Sequence, residues 1–344
     1  MAAELAAELK KRARGLGADL AAITAALPST GGPAYDAWLA AGMHGEMAYM
    51  ARNTEPRRDV RAWMPEAKSI LLCGFSYGAP DSSAAPASKE GHGRLARYAA
   101  REDYHHILRD RMNELGSWLA ATAPGARGAA FCDMSPILER SYAAAAGLGW
   151  QGKNTMLLSK DIGSYFLIAG LALNIDLPGD SAGPDHCGSC TRCLDACPTD
   201  AFAGAHVLDA SKCISYFTIE SKGTIPEPYR ERIGDWVFGC DICQEVCPWN
   251  RFEKPARALP PAKIATELPL EELAGPASAG LRSRMKGLPV ARAVRKRLTR
   301  NALLAMGNSR LERYRPILEE YAAGADVMLA EQARWSLAKL PSAA

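Results

Sequence analysis

Cys187-x2-Cys190-x2-Cys193-x3-Cys197-Pro198 and Cys240-x2-Cys243-x3-Cys247-Pro248, with Cys213 alone between them, decide how this chain is read. Thiolates at this spacing hold 4Fe–4S clusters, which carry electrons one at a time. In two-cluster ferredoxins the fourth cysteine of a run ligates the other cluster. The spacing therefore assigns Cys187, Cys190, Cys193 and Cys247 to one cluster and Cys197, Cys213, Cys240 and Cys243 to the other. Val237 stands where the second run would have its first cysteine, and Cys213 supplies the missing ligand. Two four-cysteine zinc sites would use as many thiolates, but zinc sites favour separated C-x2-C pairs. A disulfide framework fits poorly, because no secretory signal is legible.

The remainder of the chain bounds what those clusters serve. At 344 residues it has room for two or three domains. A cluster segment over 179–255 leaves a large region before it (1–178) and a smaller one after it (256–344), too much protein for a ferredoxin alone. The clusters therefore feed a catalytic or cofactor domain. Met1 opens an amphipathic helical start rather than an export signal, and the longest apolar stretch, Tyr165 to Leu173, is too short to span a bilayer. A cytoplasmic protein is expected. The net charge of +3 hides an asymmetry: residues 281–300 carry eight Arg or Lys and no acid, which leaves the rest at −5. A polyanion partner near the C-terminus follows from that concentration.

Local patterns sketch the elements. Ser69 to Phe75, Gly128 to Cys132, Thr155 to Leu158 and Ser164 to Leu173 read as strands, the first bounded by the loop-like GAPDSSAAPASKEG. Asp103 to Ala121 has helical spacing. Pro136 to Ala146 reads as a helix, with Asp133 or Ser135 as its cap. The C-terminal region reads as helical. Within it, Asn301 to Met306 and Gln332 to Leu337 look alike, as two helices of a small solenoid of HEAT type would. Gly147-Leu-Gly149-Trp-Gln-Gly152 matches the dinucleotide fingerprint but follows a helix and leads into a strand, the wrong order for that site. No P-loop is present.

Several longer motifs resemble the epoxyqueuosine reductase family. They are Glu46-Met-Ala-Tyr-Met50, Pro56-Arg57-Arg58-Asp59, Arg97-Tyr98-Ala-Ala-Arg-Glu-Asp-Tyr104-His105 and Asp133-Met-Ser-Pro-Ile-Leu-Glu139-Arg140. Gly147 to Asn154, Gly163-Ser164, both cysteine runs and Arg300-Asn301-Ala302 complete the set. The resemblance implies an α+β protein of three parts: an α/β cobalamin-binding domain, a ferredoxin-type domain and a HEAT-like helical tail. It implies reduction of epoxyqueuosine to queuosine at the wobble position of tRNA, with electrons passing through both clusters to cobalamin. An external electron donor and a monomeric protein are expected.

The resemblance also gives roles to residues. Asp133 matches the proton donor, and a carboxylic acid with a raised pKa would suit an opening epoxide; from spacing alone Asp133 is a helix cap. Arg57 matches a cobalamin contact. Gly152, Lys153, Asn154, Gly163 and Ser164 form two loops that could approach the corrin, or simple hairpin turns. Cys240 and Asp241 lie on the cluster loop expected to face the cobalt, and Tyr104, His105 and His106 are candidates to line the site. No cysteine falls in the Tyr98–Ala100 segment, so a thiolate ligand to cobalt is not expected, and Cys73 and Cys132 read as buried small hydrophobes. For RNA, Arg292, Arg295, Lys296, Arg297 and Arg300 read as one basic helix facing phosphates, with Lys222, Arg251 and Lys254 near the clusters. The competing readings are a reductive dehalogenase, a non-catalytic electron carrier, and a plain RNA-binding protein.

Overall fold

The computed structural model describes residues 1–78, 89–275, 279–293 and 295–341. Most of the loop after Tyr77 lies outside them. At the centre is a four-stranded sheet in the order Leu20–Ala25, Ser69–Ser76, Phe166–Leu173, Gly128–Phe131. Every neighbouring pair in it is antiparallel. The domain is therefore α+β, which corrects the α/β expectation. A run such as Ser69-Ile-Leu-Leu-Cys-Gly-Phe75 reads the same in a parallel or an antiparallel sheet when both faces are covered.

Both faces are covered here. Ile23, Leu71, Cys73, Ala169 and Leu171 pack with Leu9 of the Ala2–Gly15 helix and with Leu108, Met112 and Leu115 of the Tyr104–Thr122 helix. Ile70, Leu72, Phe131 and Ala172 pack on the opposite side with Tyr142, Ala143 and Ala146. Alternate residues thus serve two cores, and Ser69–Ser76 is buried along its whole length. Cys73 and Cys132 are buried, as expected.

The helix expected from Pro136 begins only at Glu139, with Leu138 as its cap residue. Asp133 and Ser135 do not cap it. Ser135 precedes a proline, which disfavours helical backbone, and Ile137 is drawn into the core before the helix starts. Thr155 to Leu158 is strand only at Leu157–Leu158, paired with Trp150–Gln151. Thr155 itself has φ +66° and closes the hairpin turn through its N–H to the Gly152 carbonyl. Gly147–Gly152 follows a helix and enters that hairpin, unlike a dinucleotide fingerprint.

A second, three-stranded sheet joins distant parts of the chain. His92–Leu95 is its middle strand, with Trp236–Phe238 parallel on one side and Glu267–Pro269 antiparallel on the other. The C-terminal helices Arg295–Ser309, Arg315–Ala323 and Val327–Leu337 pack behind it, with Val237, Leu268, Leu303 and Ala333 in one core. The two look-alike segments lie on helices that touch, with Ser336 Oγ donating to the Leu303 carbonyl at 2.8 Å. A Cβ at Gly307 would meet the Ser336 backbone at 2.7 Å, so glycine is what lets those helices approach. Among the described residues, no helix is long and apolar enough to cross a membrane.

The basic stretch is not one helix. It is broken into Ala279–Met285, Pro289–Arg292 and the start of Arg295–Ser309. Arg300 has no exposed surface. Its guanidinium donates to the carbonyls of Phe217, Ser221 and Gly223, while Asn301 Nδ2 donates to Thr218 and Val237 carbonyls at 2.9 Å each. Burial lowers its pKa to about 10. Arg300 is therefore a bolt between the helical tail and the cluster region, not a phosphate contact. Arg300→Ala strands several buried carbonyls and is expected to cost about 3 kcal/mol or more in chemical denaturation. Unchanged stability with weaker RNA binding would refute that role.

Candidate active site

Asp133 lies just past the Gly128–Phe131 strand with φ +56°, in the left-handed region. Its Oδ2 accepts from Tyr104 Oη at 2.8 Å and lies 2.9 Å from His105 Nε2. Tyr104 and His105 are the first residues of the Tyr104–Thr122 helix, capped by Asp103. Asp103 Oδ1 accepts the His105 peptide N–H at 3.1 Å and lies 2.5 Å from His105 Nδ1. Both nitrogens of the imidazole thus face carboxylates, and a ring carrying both protons donates to each. Tyr104 stacks on His105 at 4.0 Å, and His106 is exposed away from the pair.

The electrostatics correct one expectation. Asp133 is 59 % exposed on its side chain, at the edge of a densely packed cleft. Burial opposes its charge, but the hydrogen bonds from His105 and Tyr104, with the His105 and Arg292 charges, outweigh it and hold its carboxyl below the usual range. Next to it, the Glu139 carboxyl is pushed up to about 8 by burial and then by the Asp133 charge. Its Oε1 accepts the Asp133 peptide N–H at 2.6 Å. Burial also pushes the Cys132 thiol up, so it offers no thiolate beside Asp133.

Next to this cluster is a depression of about 560 Å3 lined by Tyr49, Arg52, Asn53, Arg57, Met134 and Pro136. Arg57 donates to the carbonyls of Arg52 and Asn53 and, among the described residues, makes no ion pair. Tyr49, Arg52, Asn53 and Glu139 carry no spacing signal of their own, and only the tertiary fold brings them to Asp133. Arg292 reaches this place too, 3.7 Å from Asp103 Oδ2 and against the Met134 sulfur.

The two Gly-containing loops are hairpin turns that clamp the cysteine loops. Lys153 Nζ donates to the carbonyls of Gly188 and Cys190 at 2.7 and 3.0 Å, and Asn154 Nδ2 to that of Cys243 at 3.3 Å. Ser164 is buried against Asn250 and Gln244. A Cβ at Gly152 would strike Leu158, and one at Gly163 would strike Asn250. The glycines at both places thus answer to protein packing, and the Asn154 and Ser164 side chains point into protein.

No disulfide links any of the ten cysteines. Cys247 lies within electrostatic reach of Cys193, Cys187 and Cys190. Cys240 feels Cys213 and Cys243, and Cys243 feels Cys213 and Cys197. Cys243 also feels Cys193, so the two groups adjoin. Peptide N–H groups of Ser215 and Tyr216 face the Cys213 sulfur, that of Ile242 faces Cys240, and that of Trp249 faces Cys247. Trp150 Nε1 donates to Cys187 at 3.4 Å. Soft sulfurs in two groups, each met by N–H donors, are the donor set that 4Fe–4S clusters take. Among the described residues no three His, Cys, Asp or Glu side chains converge as a single metal ion needs, so the fit rests on this grouping.

The cysteine loop reaches back toward Asp133. Asp241 is buried and accepts the Arg97 peptide N–H at 2.7 Å, and burial pushes its carboxyl up to about 6. Arg97 pairs with Glu253 at 2.9 Å and lies over the Tyr165 ring. The neighbouring Tyr98 feels both Asp133 and Asp241, and its ring meets Tyr104 edge-on at 6.2 Å.

The family comparisons fall on the same residues. Residues 57–134 match the model described as epoxyqueuosine reductase QueG, DUF1730, and residues 186–250 match a 4Fe–4S double cluster binding domain. The epoxyqueuosine reductase of Gloeobacter violaceus is 38 % identical over 316 residues, 89 % of this chain and 97 % of the relative. The chain belongs to the epoxyqueuosine reductase family. The enzyme of Xanthomonas campestris is 37 % identical, over 88 % of this chain and 86 % of its own. A crystal structure of an epoxyqueuosine reductase with an epoxyqueuosine-modified tRNA-Tyr stem loop superposes with TM-score 0.88 at 29 % identity, covering 98 % of this chain and 90 % of that one. A Bacillus subtilis family structure, described as having its catalytic aspartate loop swung out of the active site, superposes at 0.83 with 26 % identity, over 98 % and 99 % of the two chains. As a family member this chain is an oxidoreductase of queuosine formation in tRNA.

Proposed function

We propose that the protein reduces epoxyqueuosine to queuosine at the wobble position of tRNA, with electrons passing singly through two 4Fe–4S clusters to a bound cobalamin. The observation that carries the reading is the convergence of Asp133, Tyr104 and His105 beside the Arg57 depression, with Asp241 of the cysteine loop approaching from behind. Opening the epoxide to an alkene consumes two electrons and two protons and releases water. Cobalamin supplies a low-potential cobalt centre for the carbon side of that reaction. Asp133 handles the oxygen side: it delivers a proton to the leaving oxygen, which is a poor leaving group as an alkoxide. Because Tyr104 and His105 hold Asp133 as an anion at rest, the proton reaches it from that pair, and Asp103 orients the imidazole.

Arg57 and Asp133 would hold the cofactor on the side of the depression. Gly152, Lys153, Asn154, Gly163 and Ser164 would line its site through backbone, and Cys240 and Asp241 would bring the nearer cluster up to it. Cys197, Cys213, Cys240 and Cys243 hold that cluster; Cys187, Cys190, Cys193 and Cys247 hold the outer one, which an external donor reduces. Lys222, Arg251, Arg292 and Lys296 are exposed and meet tRNA phosphates, joined by Arg297; the side chain of Arg295 lies outside the described residues. Lys296 exchanges its present partner, Asp326 at 2.6 Å, for a phosphate. The wobble base enters unstacked. We assign residues 1–178 to the cobalamin domain, 179–255 to the ferredoxin-type domain and 256–344 to a HEAT-like RNA-binding region, in a cytoplasmic monomer.

Nucleoside mass spectrometry tests the reading. Epoxyqueuosine-containing tRNA is incubated anaerobically with the protein and a chemical reductant, with and without cobalamin. Loss of one oxygen that depends on cobalamin is the expected result. An unchanged nucleoside, with clusters intact and cobalamin bound, refutes it.

A further inference from the structure

Asp133 holds a backbone conformation that an L-residue adopts at a cost of roughly 1–2 kcal/mol. Something must compensate. Its carboxylate is held by Tyr104 and His105, and its peptide N–H is held at 2.6 Å by Glu139 Oε1. Glu139 opens the Glu139–Ala145 helix, whose inner face is fixed by Tyr142 and Ala143 in the core under the sheet. The acceptor is thus anchored to the rigid part of the domain, while Asp133 and Met134 beside it are exposed. Neither the electron path nor the proton path uses Glu139.

We propose that Glu139 is the positioning residue of the proton donor: by accepting the Asp133 peptide N–H, it latches the Asp133 loop in the left-handed turn that aims Oδ2 at Tyr104 and His105. The catalytic consequence rests on the reading of Asp133 as proton donor. The latch itself rests on geometry.

The latch also has a pH range. Facing Glu139 are Cys132 and Asp133 from the loop and Arg140 from its own helix, and Tyr104, His105 and Arg292 meet Asp133 on its other side. Burial and the Asp133 charge push Glu139 up to about 8. Below that pH its carboxyl is neutral and accepts the N–H without adding a second negative charge. Above it, two carboxylates repel and the turn loosens. Because the latched-state pKa is raised above the ordinary glutamate value, the stabilisation is fully present below about pH 4.5 and is lost progressively as pH rises from there to about 8.

Amide hydrogen exchange of the 132–138 segment in the full chain tests this without any turnover. Glu139→Ala removes the acceptor and is expected to speed exchange there by about tenfold at pH 7. Glu139→Gln keeps a neutral acceptor and stays within about twofold of wild type. In the wild type, exchange corrected for intrinsic base catalysis rises between about pH 5 and pH 8 and levels off above it, and in Glu139→Gln it stays flat. In the loaded enzyme, Glu139→Ala lowers kcat about tenfold and leaves KM for the tRNA stem loop within about twofold, whereas Glu139→Gln restores kcat. Wild-type exchange in Glu139→Ala overturns the proposal, and so does exchange in Glu139→Gln as fast as in the alanine variant. Should Glu139→Ala fail to fold, the wild-type and glutamine pH series decide it. If Asp133→Ala kept full turnover, the proton-donor reading would fall while the exchange result still decided the latch.

Discussion

Asp133→Asn is expected to cut turnover of epoxyqueuosine-modified tRNA by about 10²–10⁴-fold, the contribution of one positioned general acid. The amide keeps an oxygen that can accept from Tyr104 and His105, so the loop stays in place, but it carries no acidic proton. Cluster content, RNA affinity and melting temperature should stay near wild type. Single-turnover nucleoside analysis reads the effect directly, free of product release. A helix cap would behave in the opposite way, with an undisturbed rate and a stability loss of about 1 kcal/mol. The structure already separates the two, since the helix starts at Glu139 and Asp133 stands outside it. A full-speed Asp133→Asn enzyme would mean that the proton comes from elsewhere, with Tyr104 and His105 the nearest sources.

Cys213→Ala is the second large effect. Cys213 belongs to neither cysteine run and sits at the N-cap of the Ile214–Ile219 helix, where the Ser215 and Tyr216 N–H groups face its sulfur. In the proposed assignment, removing it takes one of four ligands from the cluster it would share with Cys197, Cys240 and Cys243. Iron per chain, measured after anaerobic reconstitution, should fall from about eight to about four, and turnover should vanish. Undiminished iron would assign the fourth ligand to another residue. The same variant also tests the order of the path: with the nearer cluster gone, an external reductant should still reduce the outer one, which low-temperature EPR would detect.

The 4Fe–4S binding segment was legible because its chemistry is local. Iron–sulfur coordination demands several sulfurs from a few consecutive residues, and that demand is written as spacing. The long buried strands were legible for a similar reason, since a strand covered on both faces reads as an unbroken apolar run. Their directions were not, because antiparallel pairing of Ser69–Ser76 with Phe166–Leu173 is fixed by what lies between them in space.

Charge was the least faithful signal. Eight cations without an acid over 281–300 read as one RNA-binding face, yet Arg300 is wholly buried and Arg292 stands beside Asp103. A cation in the sequence does not show whether its counterpart is a phosphate or a set of carbonyls. For Arg300 those carbonyls lie 77–83 residues away, at Phe217, Ser221 and Gly223. The protonation of Asp133 was hidden in the same manner. A proton donor suits a raised pKa, and spacing alone suggested a helix cap. Hydrogen bonds from Tyr104 and His105 lower it instead, and Glu139 is raised.

The sequence by itself determined the cofactor chemistry of the cysteines, the buried strands and the family. Those depend on residue types at short spacing and on burial. The tertiary structure alone decided which groups surround the Asp133 carboxylate, which carbonyls hold Arg300 and that Glu139 accepts the Asp133 peptide N–H. Hydrogen bonds and charge act over a few ångströms, and only the fold determines which residues come that close.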